Sequence, residues 1–458
     1  MTLEISGFVG QVLTPASAGY DQARRIWNGA IDRRPAVIAR CTGTADVLAA
    51  LRFARERELL VALRGGGHNV AGSALCDEGL VLDLSSMRAV WVDPAARVAR
   101  VQPGALWGDL DREAQAFGLA TTGGIVTHTG VAGLTLGGGI GWLMRKHGLT
   151  ADNLASADVI GADGRLRTAG EAEGQDPDLL WALRGGGGNF GVVTSFGFRL
   201  HPVGPVLAGP VFWAMDDAPA VLRHYRDLMK SAPDELTTIV SLRKAAPLAV
   251  IPATLHGRKV CAVTVCWVGD HATGERFLRP LRSFGSPLLD LVAPRPYGAL
   301  QGMFDQTVPH GWHYYWKSTE LGELTDEAID TIAHHASRVD SARSYALIFQ
   351  LGGAISRLTG NATAYANRQA AHNLNVNGAW LPEDPPEIGQ RERAWTREFF
   401  AAMEKHQAGV YVNFLGDEGV DRIHQAYGES NFRRLVALKT RYDPDNFFRV
   451  NQNIPPAP

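Results

Sequence analysis

The stretch RGGGHNVAGS, residues 64–73, places His68 directly after three consecutive glycines. Glycine has no side chain, so a run of glycines lets the backbone approach a bound group closely. The imidazole of a histidine is titratable and reactive, and here it has little neighbouring side-chain mass to bury it. The stretch therefore indicates a ligand-binding loop that contains a functional histidine.

The loop follows a predicted β-α-β unit. AVIARC (36–41) and LLVALR (59–64) have the length and apolar character of short buried strands. Between them, ADVLAALRFARERE (45–58) carries apolar residues at helical spacing. The second of these strands leads straight into the glycine loop.

Two further glycine clusters follow, GVAGLTLGGGIGWLMRKHGLTADNL (130–154) and RGGGGNFGVVTSFGFRL (184–200). None of the three clusters ends in the Gly-Lys-Ser/Thr of a Walker loop. The first cluster also lacks the clean amphipathic helix that a Rossmann site places after its glycines. Consecutive backbone N–H groups bind phosphate as an anion nest, and a dinucleotide pyrophosphate would suit such a loop.

Two side chains of the first loop allow several interpretations. His68 is a core histidine with both ring nitrogens satisfied, a catalytic base, or a covalent anchor for the ligand. The adjacent glycines make the core interpretation less favoured than usual, because they offer little mass to bury the ring. Arg64 either contacts the phosphate or forms a structural salt bridge.

The composition is that of a soluble globular protein. The chain has 458 residues, 45% hydrophobic and 20% charged, with a formal net charge of -2. This length exceeds what one hydrophobic core normally serves, so we expect at least two domains. There is no basic stripe and no apolar run of membrane-spanning length, and the N-terminal residues do not resemble a signal peptide. We therefore expect a cytoplasmic protein with neither nucleic acid nor membrane as a partner, and the sequence predicts no oligomeric state.

The cysteines fit the role of small apolar residues in the core. They are Cys41, Cys76, Cys261 and Cys266. Because no CxxC pair is present, neither a zinc site nor a disulfide framework is predicted. We therefore expect no metal ion.

The sequence changes character after HPVGP (201–205). Strand-like segments LTTIVSLRKA (236–245), VCAVTVCWVG (260–269) and SYALIFQLGGAI (344–355) alternate with amphipathic helical segments. This alternation predicts an antiparallel sheet backed by helices, which is an α+β domain. The tail, residues 433–456, is typical of a helix followed by a proline-closed extended segment.

Three motifs resemble those of a known flavoprotein fold. RGGGHN followed by SALCDEGLVLDLS (73–85) resembles the flavin-binding loop of the vanillyl-alcohol-oxidase type, or PCMH-type, FAD-binding fold. GVAGLTLGGGIGWLMRKHGLTADNL (130–154) is similar to its second FAD segment. YDPDNFFRVNQNIPP (442–456) resembles the C-terminal signature of berberine-bridge-enzyme-like oxidases, and the spacing is most similar to that of their bacterial natural-product branch.

The resemblance implies an α+β fold of two domains. One is a PCMH-type FAD-binding domain, and the other is an antiparallel-sheet substrate domain backed by helices. The expected parts are an N-terminal segment 1–32, the FAD-binding domain 33–203, the substrate-binding domain 204–409 and a C-terminal segment 410–458. This last segment is expected to fold back onto the FAD-binding domain.

The resemblance also implies that His68 is linked covalently to the 8α-methyl group of FAD. Bicovalent relatives add a cysteine in the second segment, where this chain has Val126 within GGIVTHTGVAG (123–133). No nearby cysteine can substitute for it. We therefore predict a single histidyl link.

Further contacts with FAD are implied from four parts of the chain. The first loop and the second segment would surround the pyrophosphate and the isoalloxazine, Val192 would lie near the adenine, and the tail would cover the flavin. The residues expected in contact are Arg64, Gly65, Gly66, Gly67, Asn69, Gly72, Ser73, Thr127, Gly130, Gly133, Gly138, Gly139, Gly141, Asn153, Leu154, Val192, Asn413, Asn451 and Asn453.

Oxidation of a C–H bond by a flavin is helped by a group that removes a proton from the adjacent O–H or N–H. Tyr411, in the family's Tyr-x-Asn motif, is the first candidate, and a core tyrosine is the equal alternative. Ile140 replaces the tyrosine base of plant relatives, and Asn375 stands where they have a glutamine. His128 and Thr129 are expected to shape the place where oxygen meets the reduced flavin.

The favoured function is an FAD-dependent oxidase of secondary metabolism. It would take a hydride from an alcohol, amine or activated carbon of a small organic molecule and pass the electrons to O2, giving H2O2. A dehydrogenase with another acceptor, a carbohydrate oxidase and a non-catalytic flavin- or drug-binding protein are the alternatives. Val126 argues mildly against the carbohydrate oxidase, whose relatives usually carry the second link, and Ile140 gives the binding protein some weight.

Overall fold

The RGGGH loop extends from the first sheet of the molecule. A computed structural model describes residues 4–416 and 418–458. The strands of this sheet are β1 (Gln11–Leu13), β2 (Val37–Arg40), β3 (Val61–Arg64) and β4 (Leu80–Asp83). They lie in the order β1-β2-β4-β3, with β2, β4 and β3 parallel and β1 antiparallel to β2. The loop therefore starts at the carboxyl end of a parallel strand, where ligands bind in open α/β sheets.

A second sheet, entirely antiparallel, follows in the chain. The strands of this part are β5 (Val90–Asp93), β6 (Val98–Val101), β7 (Leu119–Ala120), β8 (Leu154–Ile160), β9 (Leu166–Gly170), β10 (Val192–Arg199) and β11 (His201–Pro202). Five of them form the sheet in the order β5-β6-β10-β8-β9, and β7 pairs with β11 as a short ribbon. The second glycine cluster leads into β8, and the third begins before β10 and continues through it.

The third sheet is antiparallel and contains nine strands. They are β12 (Val206–Ala214), β13 (Leu236–Lys244), β14 (Lys259–Trp267), β15 (Leu289–Asp290), β16 (Ala293–Arg295), β17 (His313–Leu321), β18 (Tyr345–Gln350), β19 (His372–Trp380) and β20 (Gln407–Gly409). Eight of them lie in the order β15-β12-β14-β13-β18-β19-β17-β20, and β16 pairs with β12. All nine strands lie between residues 206 and 409.

Helices cover one face of the third sheet. The helices of the chain are α1 (Tyr20–Ala23), α2 (Thr44–Glu56), α3 (Trp107–Gln115), α4 (Val131–Leu136), α5 (Met144–His147), α6 (Pro177–Leu183), α7 (Ala218–Met229), α8 (His271–Arg282), α9 (Tyr297–Gln301), α10 (Asp326–Ser337), α11 (Ala354–Arg357), α12 (Pro386–Ala402) and α13 (Val420–Tyr442). Leu222 of α7, Ile329 of α10 and Phe399 of α12 share one buried core with Val240 and Val263 of the sheet. The expected α+β fold, with an antiparallel sheet backed by helices, is confirmed.

In the ranges that the structure describes, no helix is both long enough and apolar enough to cross a membrane.

The C-terminal segment packs against the second sheet. Leu435 of α13 lies in the same buried core as Phe196 of β10. Beyond the helix, the chain runs along the third glycine cluster, where the Asn189 side chain donates to the carbonyl of Gln452 at 3.2 Å and accepts from the N–H of Ile454 at 3.0 Å. The tail is thereby held next to the glycine loops.

Candidate active site

A cavity of about 330 Å³ lies where the three glycine clusters meet the third sheet. This volume is in the range of ligand-binding sites. Gly66, Gly130 and Gly188 represent the three clusters in its lining, and Trp316 and Leu347 represent the sheet. None of the described residues that line it is Asp, Glu, Lys or Arg. The cavity therefore suits a ligand whose charge, if any, is bound by backbone N–H groups.

The first two glycine clusters touch each other backbone to backbone. A Cβ atom on Gly66 would lie 2.5 Å from the backbone N and Cα atoms of Gly130, and real Cβ atoms do not approach other atoms so closely. Gly67 has a φ of 66°, in the left-handed region that favours glycine. The glycines are therefore needed to bring these two loops together at the cavity.

His68 is held in a stack of aromatic rings at the edge of the cavity. Its imidazole lies on the indole of Trp27, with ring centroids 4.4 Å apart, and Trp27 lies on Tyr314 at 3.8 Å. The Nε2 atom of His68 is 2.9 Å from Nδ1 of His128. In the described part of the chain this is the hydrogen bond that the ring makes with another residue, so Nδ1 has no partner outside His68 itself.

The imidazole of His68 is neutral at neutral pH. Burial lowers the pKa of His68 well below its ordinary value, and the neighbouring His128 and His310 lower it further. A neutral imidazole keeps a lone pair on one ring nitrogen, which makes that nitrogen a nucleophile. The ring is thus not the core histidine with two satisfied nitrogens that the sequence left open.

The structure brings together residues of the first two glycine clusters, of β19 and of the tail that the sequence placed in the site. The predicted residues that line the cavity are Gly65, Gly66, Gly67, His68, Asn69, Ser73, Thr129, Gly130, Gly133, Val192, Asn375, Tyr411, Asn413 and Asn451. Other predicted residues lie outside its lining. They are Arg64, Gly72, Thr127, His128, Gly138, Gly139, Gly141, Asn153, Leu154 and Asn453.

The guanidinium of Arg64 is hydrogen-bonded to Asp83, which contradicts the expectation that Arg64 contacts FAD. The two residues are register partners on the parallel strands β3 and β4, and Nε of Arg64 donates to Asp83 Oδ1 at 3.1 Å. Burial raises the pKa of Asp83, but the Arg64 guanidinium outweighs this and holds it below the ordinary value. Arg64 therefore forms the structural salt bridge rather than wrapping a phosphate.

Asn153 and Thr127 also face away from the cavity. The Asn153 amide donates to the carbonyls of His147 and Leu149, each at 2.9 Å, and so supports the turn after the second glycine cluster. The backbone N–H of Thr127 donates to Asp305 at 2.9 Å, and its hydroxyl donates to the same carboxylate. Both residues shape the loop from outside rather than contacting a ligand.

The hydroxyl of Tyr411 is turned towards the second glycine cluster. Its oxygen accepts from the backbone N–H of Gly139 at 3.0 Å and of Ile140 at 3.3 Å, and from Asn413 Nδ2 at 2.9 Å. Burial raises the pKa of Tyr411 to about 12, so the phenol is protonated at neutral pH. The ring lines the cavity while its oxygen holds the glycine loop in place.

Two asparagines of β19 present a matched donor and acceptor at the sheet side of the cavity. Nδ2 of Asn377 donates to Oδ1 of Asn375 at 2.6 Å. This leaves Asn375 Nδ2 and Asn377 Oδ1 buried without a hydrogen-bond partner among the described residues. Trp316 Nε1 is likewise buried and without a partner there. Because buried polar groups in proteins are normally paired, these atoms indicate a polar ligand group between them.

A second set of unpartnered atoms lies at the tail side of the cavity. The hydroxyl of Tyr427 and Oδ1 of Asn451 are buried and have no partner in the ranges that the structure describes. Both residues line the cavity, next to Gly187 and Gly188 of the third cluster. Polar atoms at both sides of the cavity fit a long ligand with polar groups along its length.

Sequence reasoning missed several residues of the site. Asn377 could have been found, because it follows Asn375 by two positions on a strand and therefore shares its face. Trp27 could not be predicted as a site residue from the sequence, because it is an isolated aromatic residue in a segment without periodicity. Tyr427 and Trp316 likewise enter the cavity through tertiary packing alone.

Known protein families match both the glycine-rich part and the tail of this chain. A family described as "FAD binding domain" matches residues 35–170, and a family described as "Berberine and berberine like" matches residues 410–455. The first range contains the RGGGH loop and the second glycine cluster. The second range contains Tyr411, Tyr427 and Asn451 of the cavity.

Relatives of known name are similar to the chain over nearly its whole length. An FAD-linked oxidoreductase of Dictyostelium discoideum is 32% identical, covering 98% of this chain and 95% of that protein. (R)-6-hydroxynicotine oxidase of Paenarthrobacter nicotinovorans is 31% identical, covering 98% and 97%. A crystal structure of 6-hydroxy-D-nicotine oxidase from Arthrobacter nicotinovorans has a TM-score of 0.90 at 28% identity, covering 100% of both chains.

Proposed function

The chain belongs to the berberine-bridge-enzyme-like family of FAD-linked oxidoreductases, and on that premise we propose that it is an oxidase with one covalent link, between His68 and FAD. The observation that carries the proposal is a neutral imidazole set beside glycine loops in a cavity without charged side chains. The substrate is a neutral small organic molecule from which a hydride is removed.

The cavity fits FAD in the nature of its donor groups. The N–H groups of the first glycine cluster, with Asn69 and Ser73, offer a nest for the pyrophosphate. The unpartnered Tyr427 hydroxyl and Asn451 carbonyl lie where the third cluster and the tail would meet the rest of the dinucleotide. When bound, FAD supplies a hydride acceptor and a route for the two electrons to a second substrate.

One covalent link, rather than two, is supported by the residues near Val126. Val126 and Ile125 line the cavity, and neither side chain carries a thiol. The four cysteines are buried, and none of them lines the cavity. His68 is the histidine of the described lining, and its neutral imidazole carries a nucleophilic nitrogen suited to an 8α link.

The substrate side of the site is proposed to lie against the third sheet. Tyr345, Leu347 and Phe349 alternate along β18 and line the cavity with apolar surface. Asn375 Nδ2 and Asn377 Oδ1 stand beside them as a donor and an acceptor. This combination suits a flat, neutral molecule with a hydroxyl, amine or amide edge better than a carbohydrate, which needs hydrogen bonds on many sides.

Replacing Tyr411 by Phe is expected to destabilise the second glycine loop. The N–H groups of Gly139 and Ile140 and the amide of Asn413 would lose their acceptor, at a cost of about 1–3 kcal/mol. Urea unfolding of the loaded protein measures this loss. Tyr345→Phe is the matched control, because no hydrogen bond of its hydroxyl occurs within the described residues; equal stabilities of the two variants would contradict the role of Tyr411.

Anaerobic reduction tests the proposed activity. Neutral alcohols and amines with an aromatic ring should bleach the flavin absorbance in the absence of air, and admission of air should restore it with release of H2O2. Dye reduction without peroxide would indicate a dehydrogenase, and no bleaching by any candidate would indicate a binding protein. Thr129, which lines the cavity, and His128 are proposed to shape the place of oxygen access, so replacing both by apolar residues should slow reoxidation.

A further inference from the structure

Three histidines, His68, His128 and His310, cluster at the edge of the cavity, with ring nitrogens within 4.8 Å of one another. Nε2 of His68 is 2.9 Å from Nδ1 of His128, and the rings of His128 and His310 have centroids 4.8 Å apart. His310 is exposed. Nε2 of His128 is buried and has no partner in the part of the chain that the structure describes. His128 therefore contacts both the proposed linking histidine and a side chain that is exposed to solvent.

We propose that His128 is a positioning residue for attachment of the flavin, and that it accepts the Nε2 proton of His68 while Nδ1 of His68 bonds to the 8α carbon. This rests on the proposed link between His68 and FAD. In the proposed tautomer, Nε2 of His68 donates its proton to Nδ1 of His128, which leaves the lone pair of His68 on Nδ1. The same contact then provides the acceptor for the proton of His68.

The step balances in atoms and electrons. One bond forms, between Nδ1 of His68 and the 8α carbon, and one C–H bond of the 8-methyl group breaks. The electron pair of that C–H bond reduces the flavin, which takes up two protons. The Nε2 proton of His68 crosses the hydrogen bond to His128. Molecular oxygen then accepts the two electrons and two protons and becomes H2O2, so the protein gains the mass of FAD less two hydrogens.

The surroundings of His128 suit a proton acceptor. Burial and the neighbouring His310 lower the pKa of His128, so its ring is neutral and has a free lone pair at neutral pH. The Asp305 carboxylate acts in the opposite direction, and would stabilise the ring once it is protonated. Thr127 fixes that carboxylate through its N–H and its hydroxyl. The titratable groups that shift the pKa of His128 are thus His310 and Asp305, and His68 is hydrogen-bonded to it.

The test follows attachment of FAD in the full-length chain, produced in flavin-limited cells and then supplied with FAD. Intact mass and in-gel flavin fluorescence after denaturation measure covalent attachment, and flavin fluorescence in the native protein measures binding. General bases contribute about 100-fold or more, so H128A should bind FAD but attach it at least about 100-fold more slowly. Added imidazole should restore part of the rate in H128A, because His128 is only partly buried and lies beside the exposed His310.

Two further variants decide the outcome. H128N keeps an acceptor atom near the position of Nδ1 but does not take up a proton, so it should also be slow, and it decides the result if H128A does not fold. H256N is the matched control, since His256 is hydrogen-bonded to Ile251 in the other domain, and it should attach FAD at the wild-type rate. If H128N attaches FAD as fast as wild type, the proposed role of His128 is wrong, but the proposed link to His68 is not affected. Wild type without covalent FAD would overturn the proposed link itself.

Discussion

His68→Ala is expected to abolish covalent attachment of FAD while leaving FAD binding in place. The substitution removes the neutral imidazole whose Nδ1 is the proposed point of attachment. The glycine loops and the Asn451 side chain that line the cavity remain. Intact mass after denaturation should therefore fall to that of the polypeptide, and acid should release yellow flavin from H68A but not from wild type.

The control for this experiment is His310→Ala. His310 lies beside His68, with ring centroids 6.0 Å apart, but it is exposed and does not line the cavity. H310A should keep its covalent FAD, since it retains the nucleophile. An FAD mass that persists in H68A, or yellow flavin that acid releases from wild type, would show that the link is elsewhere or does not exist.

The glycine loop and His68 could be predicted because their signal is local. Only glycine allows the contact between Gly66 and Gly130, so the requirement is visible in the residue type itself. The α+β class could also be predicted from a local pattern, because the strand and helix periodicities of residues 236–355 follow from which faces are buried. Patterns of this kind need no knowledge of distant contacts.

Arg64 and Trp27 could not be placed from the sequence because their partners are distant in the chain. Arg64 meets Asp83 through the parallel register of β3 and β4, which a sequence does not reveal. Trp27 reaches His68 because the N-terminal segment crosses to the third sheet, where the Asn28 side chain bonds to the backbone of Tyr314. Long-range packing therefore decides which polar and aromatic side chains join the glycine loops.

Lys439→Met is expected to destabilise the protein by about 3–5 kcal/mol, because it leaves a buried carboxylate without its partner. Lys439 and Asp443 have fully buried side chains, and Nζ lies 2.6 Å from Asp443 Oδ2. The same ammonium donates to the carbonyls of Asn189 and Phe448, each at 2.9 Å. Burial lowers the pKa of Lys439, and the contact with Asp443 opposes this shift. Methionine fills a similar volume, so the loss arises from charge and hydrogen bonding rather than from a void.

The consequence of Lys439→Met for the cofactor follows from what the ammonium connects. Asn189 belongs to the third glycine cluster, and Phe448 begins the part of the tail that supplies Asn451 to the cavity. Loosening this connection should lower both the urea midpoint and the affinity for unlinked FAD, measured in H68A/K439M against H68A. Arg441→Met is the matched control. Arg441 is exposed and forms a solvent-exposed ion pair with Asp178 at 3.5 Å, so its loss is expected to change the free energy of unfolding by less than about 1 kcal/mol.

The double variant D443N/K439M should recover part of the lost stability, because the uncompensated buried charge is then removed. Equal urea midpoints for K439M and R441M would refute the role of this buried pair.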